Sequence, residues 1–207
     1  MPIKQYRPVT KGRRLSSVQD FSDVTRQEPE KSLISIKKRF AGRTNGKITV
    51  RHKGGGARRF LRDVDFLRNR FDIPAKIVTV EYDPNRGARV ALIVYRDGVK
   101  AYLLLPDGMK VGDTVISSRG EIDILPGNRL CLEKIPVGAT IHAVELVPGK
   151  GAQIGRGAGT RIEFMAIEGD MATIKLPSGE VRMVPKSCMA TIGSVSNPDW
   201  HLVRWGK

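Results

Sequence analysis

Residues 89–105 read RVALIVYRDGVKAYLLL. The first part, RVALIVY at 89–95, is too short and too uniformly apolar for a surface helix, and it reads as a buried strand. Asp97-Gly98 then supplies a residue pair that tolerates the positive φ angles of a tight turn, and VKAYLLL at 99–105 returns as the partner strand. A hairpin here commits the region to β-structure. Upstream, from Ala75, Val78, Val80 and Tyr82 alternate with Ile77, Thr79 and Glu81, the pattern of a half-buried strand with the first set on one face and the second on the other. The turn Asp83-Pro84-Asn85 ends it. Tyr82, Tyr95 and Tyr102 all fall on predicted strands and are expected in the core.

A second series follows downstream: ATIHAVEL from Ala139, then residues 160–167, 171–176, 181–184 and 188–195, separated by Glu168-Gly169-Asp170, Pro177-Ser178-Gly179 and Pro185. Short strands at this spacing, with few stretches of period 3.6, predict an all-β chain of two small barrels in series. Pro and Gly interrupt the pattern at residues 125–132 (LPGNRLCL). The expected division is therefore an N-terminal extension over 1–62, barrels over 63–126 and 127–197, and the start of a C-terminal extension over 198–207. No repeat is strong enough to argue duplication.

Charge is unevenly spread over the 207 residues. The net charge is +15, yet residues 1–60 hold sixteen Lys and Arg against four acids, and from Lys31 to Arg62 there is no acid at all. A basic extended arm of this density calls for a polyanion, and nucleic acid is the first candidate; a merely solvated tail usually carries some acids. A membrane-surface helix is the other standard reading of basic sequence, but Gly42, Gly46 and Gly54-Gly55-Gly56 break any continuous apolar face. No run of 18 or more apolar residues occurs, and the first residues lack the apolar stretch of a secretory signal, so a soluble, non-exported, cytoplasmic protein is expected. Cys131 and Cys188 form no C-x-x-C pair and are read as small buried side chains in a reducing compartment.

Two loops combine glycine with basic residues, 48–59 (ITVRHKGGGARR) and 148–160 (PGKGAQIGRGAGT). Glycine lets backbone amides close on a phosphate while neighbouring cations supply full charge, which places Arg51, Arg58, Arg59, Lys150 and Arg156 at an RNA backbone. The same acid-free stretch adds Arg43, Lys47, His52 and Lys53. Neither loop is a nucleotide site: the second lacks the G-K-[ST] ending, misses G-x-G-x-x-G spacing, and leads into a strand pattern. The turn at 82–86 would hold Arg86 on a stiff platform, although alone it reads as an ordinary β-turn. His52, His142 and His201 fall in no H-E-x-x-H and pair with no evident nucleophile, and G-x-S-x-G is absent. No catalytic residue, metal site or cofactor is expected. With aromatics at 6%, structured RNA read by shape fits better than a single strand held on stacked rings.

Taken together, these segments resemble the bacterial form of the large-subunit ribosomal protein L-two family. The matching stretches are Asp20-Phe21-Ser22, Glu30-Lys31-Ser32-Leu33, GKITVRHKGGG at 46–56, EYDPNR at 81–86, IPVG at 135–138, residues 148–160, LPSGEVR at 176–182 and Ala190-Thr191-Ile192-Gly193. The resemblance implies an N-terminal extension threaded into RNA, an oligonucleotide-binding-like barrel and an SH3-like barrel. It implies that Arg86 and Arg156 bind large-subunit (23S-type) RNA. The implied partners also include neighbouring ribosomal proteins and the small subunit, with roles in assembly, subunit association and the peptidyl transferase region. The family's long Gly- and Arg-rich tail, with its histidine, has no counterpart before Lys207, so no direct part in peptide-bond formation is carried over. The absence of an Arg- and Ser-rich transit segment leans toward a bacterial rather than an organellar ribosome.

Overall fold

The computed structural model describes residues 3–36, 42–53 and 57–206. Short pieces decorate the N-terminal segment: β1 (Ile3–Gln5), α1 (Lys11–Leu15), β2 (Ser17–Gln19), β3 (Ile34–Ile36), β4 (Arg43–Thr44), β5 (Lys47–Ile48) and β6 (Phe60–Arg62). Of these, β1 pairs with β2, β3 with β6, and β4 with β5. The β4–β5 hairpin turns on Asn45-Gly46, both at positive φ, an Asn-Gly signal that the reading of the sequence passed over.

The first barrel unit is an antiparallel sheet of β7 (Ala75–Glu81), β8 (Val90–Tyr95), β9 (Lys100–Leu104) and β10 (Thr114–Val115), in the order β10-β7-β8-β9. The β8–β9 hairpin forms where expected, with the Gly98 N–H donating to the Tyr95 carbonyl and Gly98 at φ 84°. Both faces of the sheet are buried. Ile77, Val80, Ile93 and Leu103 pack on one side; Val90, Leu92, Tyr102 and Leu104 meet Val64 and Val195 on the other. That double burial explains why RVALIVY shows no alternation.

The alternation read into β7 is corrected. A bulge between Ile77 and Thr79 shifts the register against β8, so Ile77 and Val80 share one core while Val78 is 43% exposed. An extra residue in one strand reverses the phase of all that follows. Tyr82 accordingly lies outside the core at 40% exposure, whereas Tyr95 and Tyr102 are buried as expected.

The second unit is a six-stranded antiparallel sheet of β11 (Arg129–Cys131), β12 (Thr140–His142), β13 (Ile162–Glu168), β14 (Met171–Lys175), β15 (Val181–Pro185) and β16 (Met189–Ile192), ordered β11-β16-β12-β13-β14-β15. Ile141, Ile162, Phe164, Ile174 and Ala190 centre its core. Cys188 is buried there, but Cys131 is only partly covered, which corrects the reading of both as buried. Both thiols are free.

Two side chains of the first unit, Arg89 and Tyr102, lock the N-terminal segment onto it. Arg89, 1% exposed, donates from Nε and Nη2 to the two oxygens of Asp23 at 3.0 and 3.2 Å and from Nη1 to Gln19 Oε1 at 3.1 Å. The Tyr102 hydroxyl donates to the buried Glu81 carboxylate at 2.7 Å and accepts from the Glu30 backbone N–H at 2.8 Å. Residues 17–30 are thus anchored structure, with the Asp23 carboxylate on Arg89 and the Glu30 carboxylate 3.2 Å from Lys100 Nζ.

A polar seam joins the two units. Arg68 is buried and donates to the Gly127 carbonyl at 3.0 Å; burial, reinforced by the charge of Arg129, lowers its pKa to about 10, so it stays cationic at neutral pH. His142, 1% exposed, lies 2.7 Å through Nδ1 from the Gly193 carbonyl, and burial pushes its pKa down to about 4. Neutral imidazole donates there through Nδ1–H. Because the unfolded chain takes up this proton near pH 6.5 and the folded chain does not, stability present above pH 6.5 is lost as pH falls toward 4. By pH 5.5 the expected loss is about 1 kcal/mol. Urea unfolding at pH 7 and pH 5.5 should show it in the wild type and show a shallower dependence in His142→Gln; equal slopes would mean that His142 is not the titrating group.

Candidate nucleic-acid interface

The turn at residues 82–86 is built by its own side chains. Asp83, fully buried, accepts from the Asn85 backbone N–H at 2.8 Å and from Arg86 Nε at 2.7 Å. Asn85 reaches across to the Phe60 carbonyl at 2.8 Å, and Arg59 donates to the Pro84 carbonyl at 3.0 Å, so β6 is clasped to the turn from both sides. Such a turn holds Arg86 at low entropic cost. Its side chain remains 21% exposed, and among the described residues only Nε is engaged by a carboxylate.

The loop at 148–160 is seated differently from the expectation. The amides of Gly149 and Gly151 donate to Glu145 at 3.3 and 3.0 Å, and the Met189 amide joins them at 3.1 Å. Glu145 also takes Arg129 Nη2 at 2.5 Å, with both side chains 1% exposed. These glycine amides therefore hold an internal carboxylate, not an RNA phosphate, because a fixed buried anion outcompetes an external one for the same donors. Their function is to fix the loop. Gly151, at φ 83°, lies so close to residue 66 that a Cβ would sit 3.1 Å from the Phe66 carbonyl oxygen, and the Ala152 amide donates to that oxygen at 2.9 Å.

This seating carries Arg156 to the face of Phe66, with its guanidinium carbon 4.8 Å from the ring centroid; that of Arg86 lies 5.8 Å from the same ring. Two arginines seventy positions apart meet on one half-buried phenyl plate. Lys150 is exposed in the same loop, next to Gly151. Arg58 and Arg59 are exposed at the entry to β6, within reach of the turn through Arg59. Arg43, Lys47, Arg51, His52 and Lys53 are also exposed but belong to the β4–β5 hairpin and its following turn, whose Thr49 and Val50 amides fold back on the Gly42 carbonyl. The structure thus brings Arg86 and Arg156 together on Phe66, with Arg59 bonded to the turn that carries Arg86 and Lys150 exposed on the loop that carries Arg156. Gly54, Gly55, Gly56 and the arm residues Lys37, Lys38 and Arg39 lie outside the described residues.

Phe66 was missed in the sequence, as was Glu145. The available signal was the run FLRNRF at 66–71, basic residues bracketed by aromatics ahead of the first strand. Among the described residues there is no group of three or more His, Cys, Asp and Glu side chains placed to hold a metal, and no helix is long and apolar enough to cross a membrane.

Arginines over one aromatic ring, a dense basic arm and two small β units are the features of a polyanion-binding β protein. Residues 30–117 match the family model described as Ribosomal Proteins L2, RNA binding N-terminal domain, and residues 125–207 match Ribosomal Proteins L2, C-terminal domain. The chain belongs to the ribosomal protein L2 family, and its two β units are the oligonucleotide-binding-like and SH3-like barrels of that family. It is a structural RNA-binding protein of the large ribosomal subunit, with ribosomal RNA and neighbouring ribosomal proteins as partners, and not an enzyme.

Proposed function

We propose that the chain anchors a folded region of 23S-type RNA through Arg86 and Arg156 at Phe66, together with Arg59 and Lys150 on the adjoining turn and loop. The hairpin and arm cations Arg43, Lys47, Arg51, His52, Lys53 and Arg58 extend the contact along the backbone. In doing so the protein supports large-subunit assembly, association with the small subunit and the RNA of the peptidyl transferase region, in a cytoplasmic bacterial ribosome. Residues 1–62 serve as the arm, 63–126 and 127–197 as the two barrels, and 198–207 as the start of a second extension.

The observation that carries this reading is the convergence of Arg86 and Arg156 on one ring. Stiff, partly desolvated guanidiniums are suited to phosphates because their geometry is fixed before binding. Reconstitution of large subunits with and without the chain tests the assembly and association roles. Omission should leave incomplete particles that fail to join small subunits on a sucrose gradient; full joining without the chain would remove both roles from the proposal.

A further inference from the structure

Beside the FLRNRF segment, a cleft of about 540 Å³ is lined by residues of both units, Leu67, Asn69 and Phe71 from the first and Glu145, Pro148 and Met189 from the second. Its walls include Phe71, Arg119, Asn69, Gly149 and Ser187, and Cys131 lies among them. Arg119 is exposed and stacks on the Phe71 ring with its guanidinium carbon 4.6 Å from the centroid. Among the described residues Arg119 makes no ion pair. Lys150, which follows the lining residue Gly149 in the chain, is exposed. The volume is within the roughly 300–1,000 Å³ range of small-ligand sites.

We propose that this cleft receives one unstacked nucleotide of the bound RNA, its base against the Phe71–Arg119 stack and its phosphate toward Arg119 and Lys150. The inference rests on the RNA-binding reading above and adds to it a pocket for an extruded base. An arginine held over an aromatic ring offers a cationic surface against which a base stacks, with its remaining N–H groups left for phosphate oxygens. The one carboxylate in the cleft does not oppose this. Glu145 is 1% exposed and already engages Arg129 and the amides of Gly149, Gly151 and Met189, so its charge is neutralised from within. Among the described residues neither Arg119 nor Lys150 has a carboxylate partner, and that asymmetry selects an anionic ligand.

Cys131 gives a direct readout, with the fully buried Cys188 as an internal control. Burial, followed by the charge of Glu133, raises the Cys131 pKa, so alkylation by N-ethylmaleimide is best run at mildly alkaline pH. The full chain is alkylated free, saturated with transcribed 23S-type RNA, saturated with a fully paired RNA duplex, and saturated with heparin, and Cys131 labelling is followed by peptide mass spectrometry. The 23S-type RNA should slow labelling by about tenfold, while duplex and heparin, which offer charge but no free base, should leave it unchanged. Arg119→Ala should abolish the protection and weaken binding by roughly tenfold, the size of one lost base stack. Labelling at the free rate in the saturated complex, or equal protection by duplex, would overturn the proposal. Measuring the same RNA against Arg86→Ala with Arg156→Ala separates the two readings: loss of affinity in that variant together with unprotected Cys131 in the saturated wild-type complex sinks the cleft alone, and protection of Cys131 in the saturated wild-type complex with undiminished affinity in the variant sinks the Phe66 assignment alone.

Discussion

Glu145→Ala is expected to destabilise the protein by about 3–5 kcal/mol, the range for removing one partner of a buried ion pair. The substitution leaves the Arg129 guanidinium, 1% exposed, without its carboxylate. It also strips the acceptor from the Gly149, Gly151 and Met189 amides. Burial already lowers the Arg129 pKa against the opposing pull of Glu145, so the loss falls on a group with little solvent to fall back on. For a chain of this size the melting temperature should drop by on the order of 10 °C. Pairing the change with Arg129→Met should recover part of the loss by removing the orphaned charge, but not the part due to the three amides and to the Leu67 carbonyl that Arg129 also serves. A melting temperature within about 2 °C of wild type for Glu145→Ala would contradict the seat described for the glycine loop.

The second large effect is on RNA. Arg86→Ala combined with Arg156→Ala should weaken binding of 23S-type RNA by roughly 100-fold, as expected for two charge-assisted contacts. The dependence of log affinity on log salt should become shallower by about 1 to 2, because each lost phosphate contact releases fewer counterions. The double variant should melt a few degrees below wild type, since Arg86→Ala leaves the fully buried Asp83 without its cation while Asn85 still braces the turn, whereas Arg156 is exposed and Arg156→Ala alone should leave the melting temperature unchanged. Replacing Arg43 and Lys47 on the separate hairpin should have a smaller effect. Unchanged binding in the Arg86 and Arg156 variant would move the main contact to the arm and remove both residues from the site.

Much of this could be read along the chain. Charge, the absence of acids between Glu30 and Asp63, the β8–β9 hairpin and the turn at 82–86 are local properties, fixed by residue type and short-range geometry. They sufficed for the all-β class and for an RNA partner. The phase of β7 was not legible, because one extra residue at Val78 inverts the faces without leaving a compositional trace. The glycine loop was recognised as special but given the wrong anion: which charge the Gly149 and Gly151 amides face depends on Glu145 being folded beneath them. Nor could the meeting of Arg86 and Arg156 on Phe66 be seen in sequence, since it requires two turns from different barrels to close on a residue that belongs to neither loop. Which residues carry charge and which can form strands follows from side-chain chemistry and periodicity, and was legible along the chain. Which donors are consumed internally and which remain for RNA is settled by long-range packing and desolvation, and emerged with the folded arrangement.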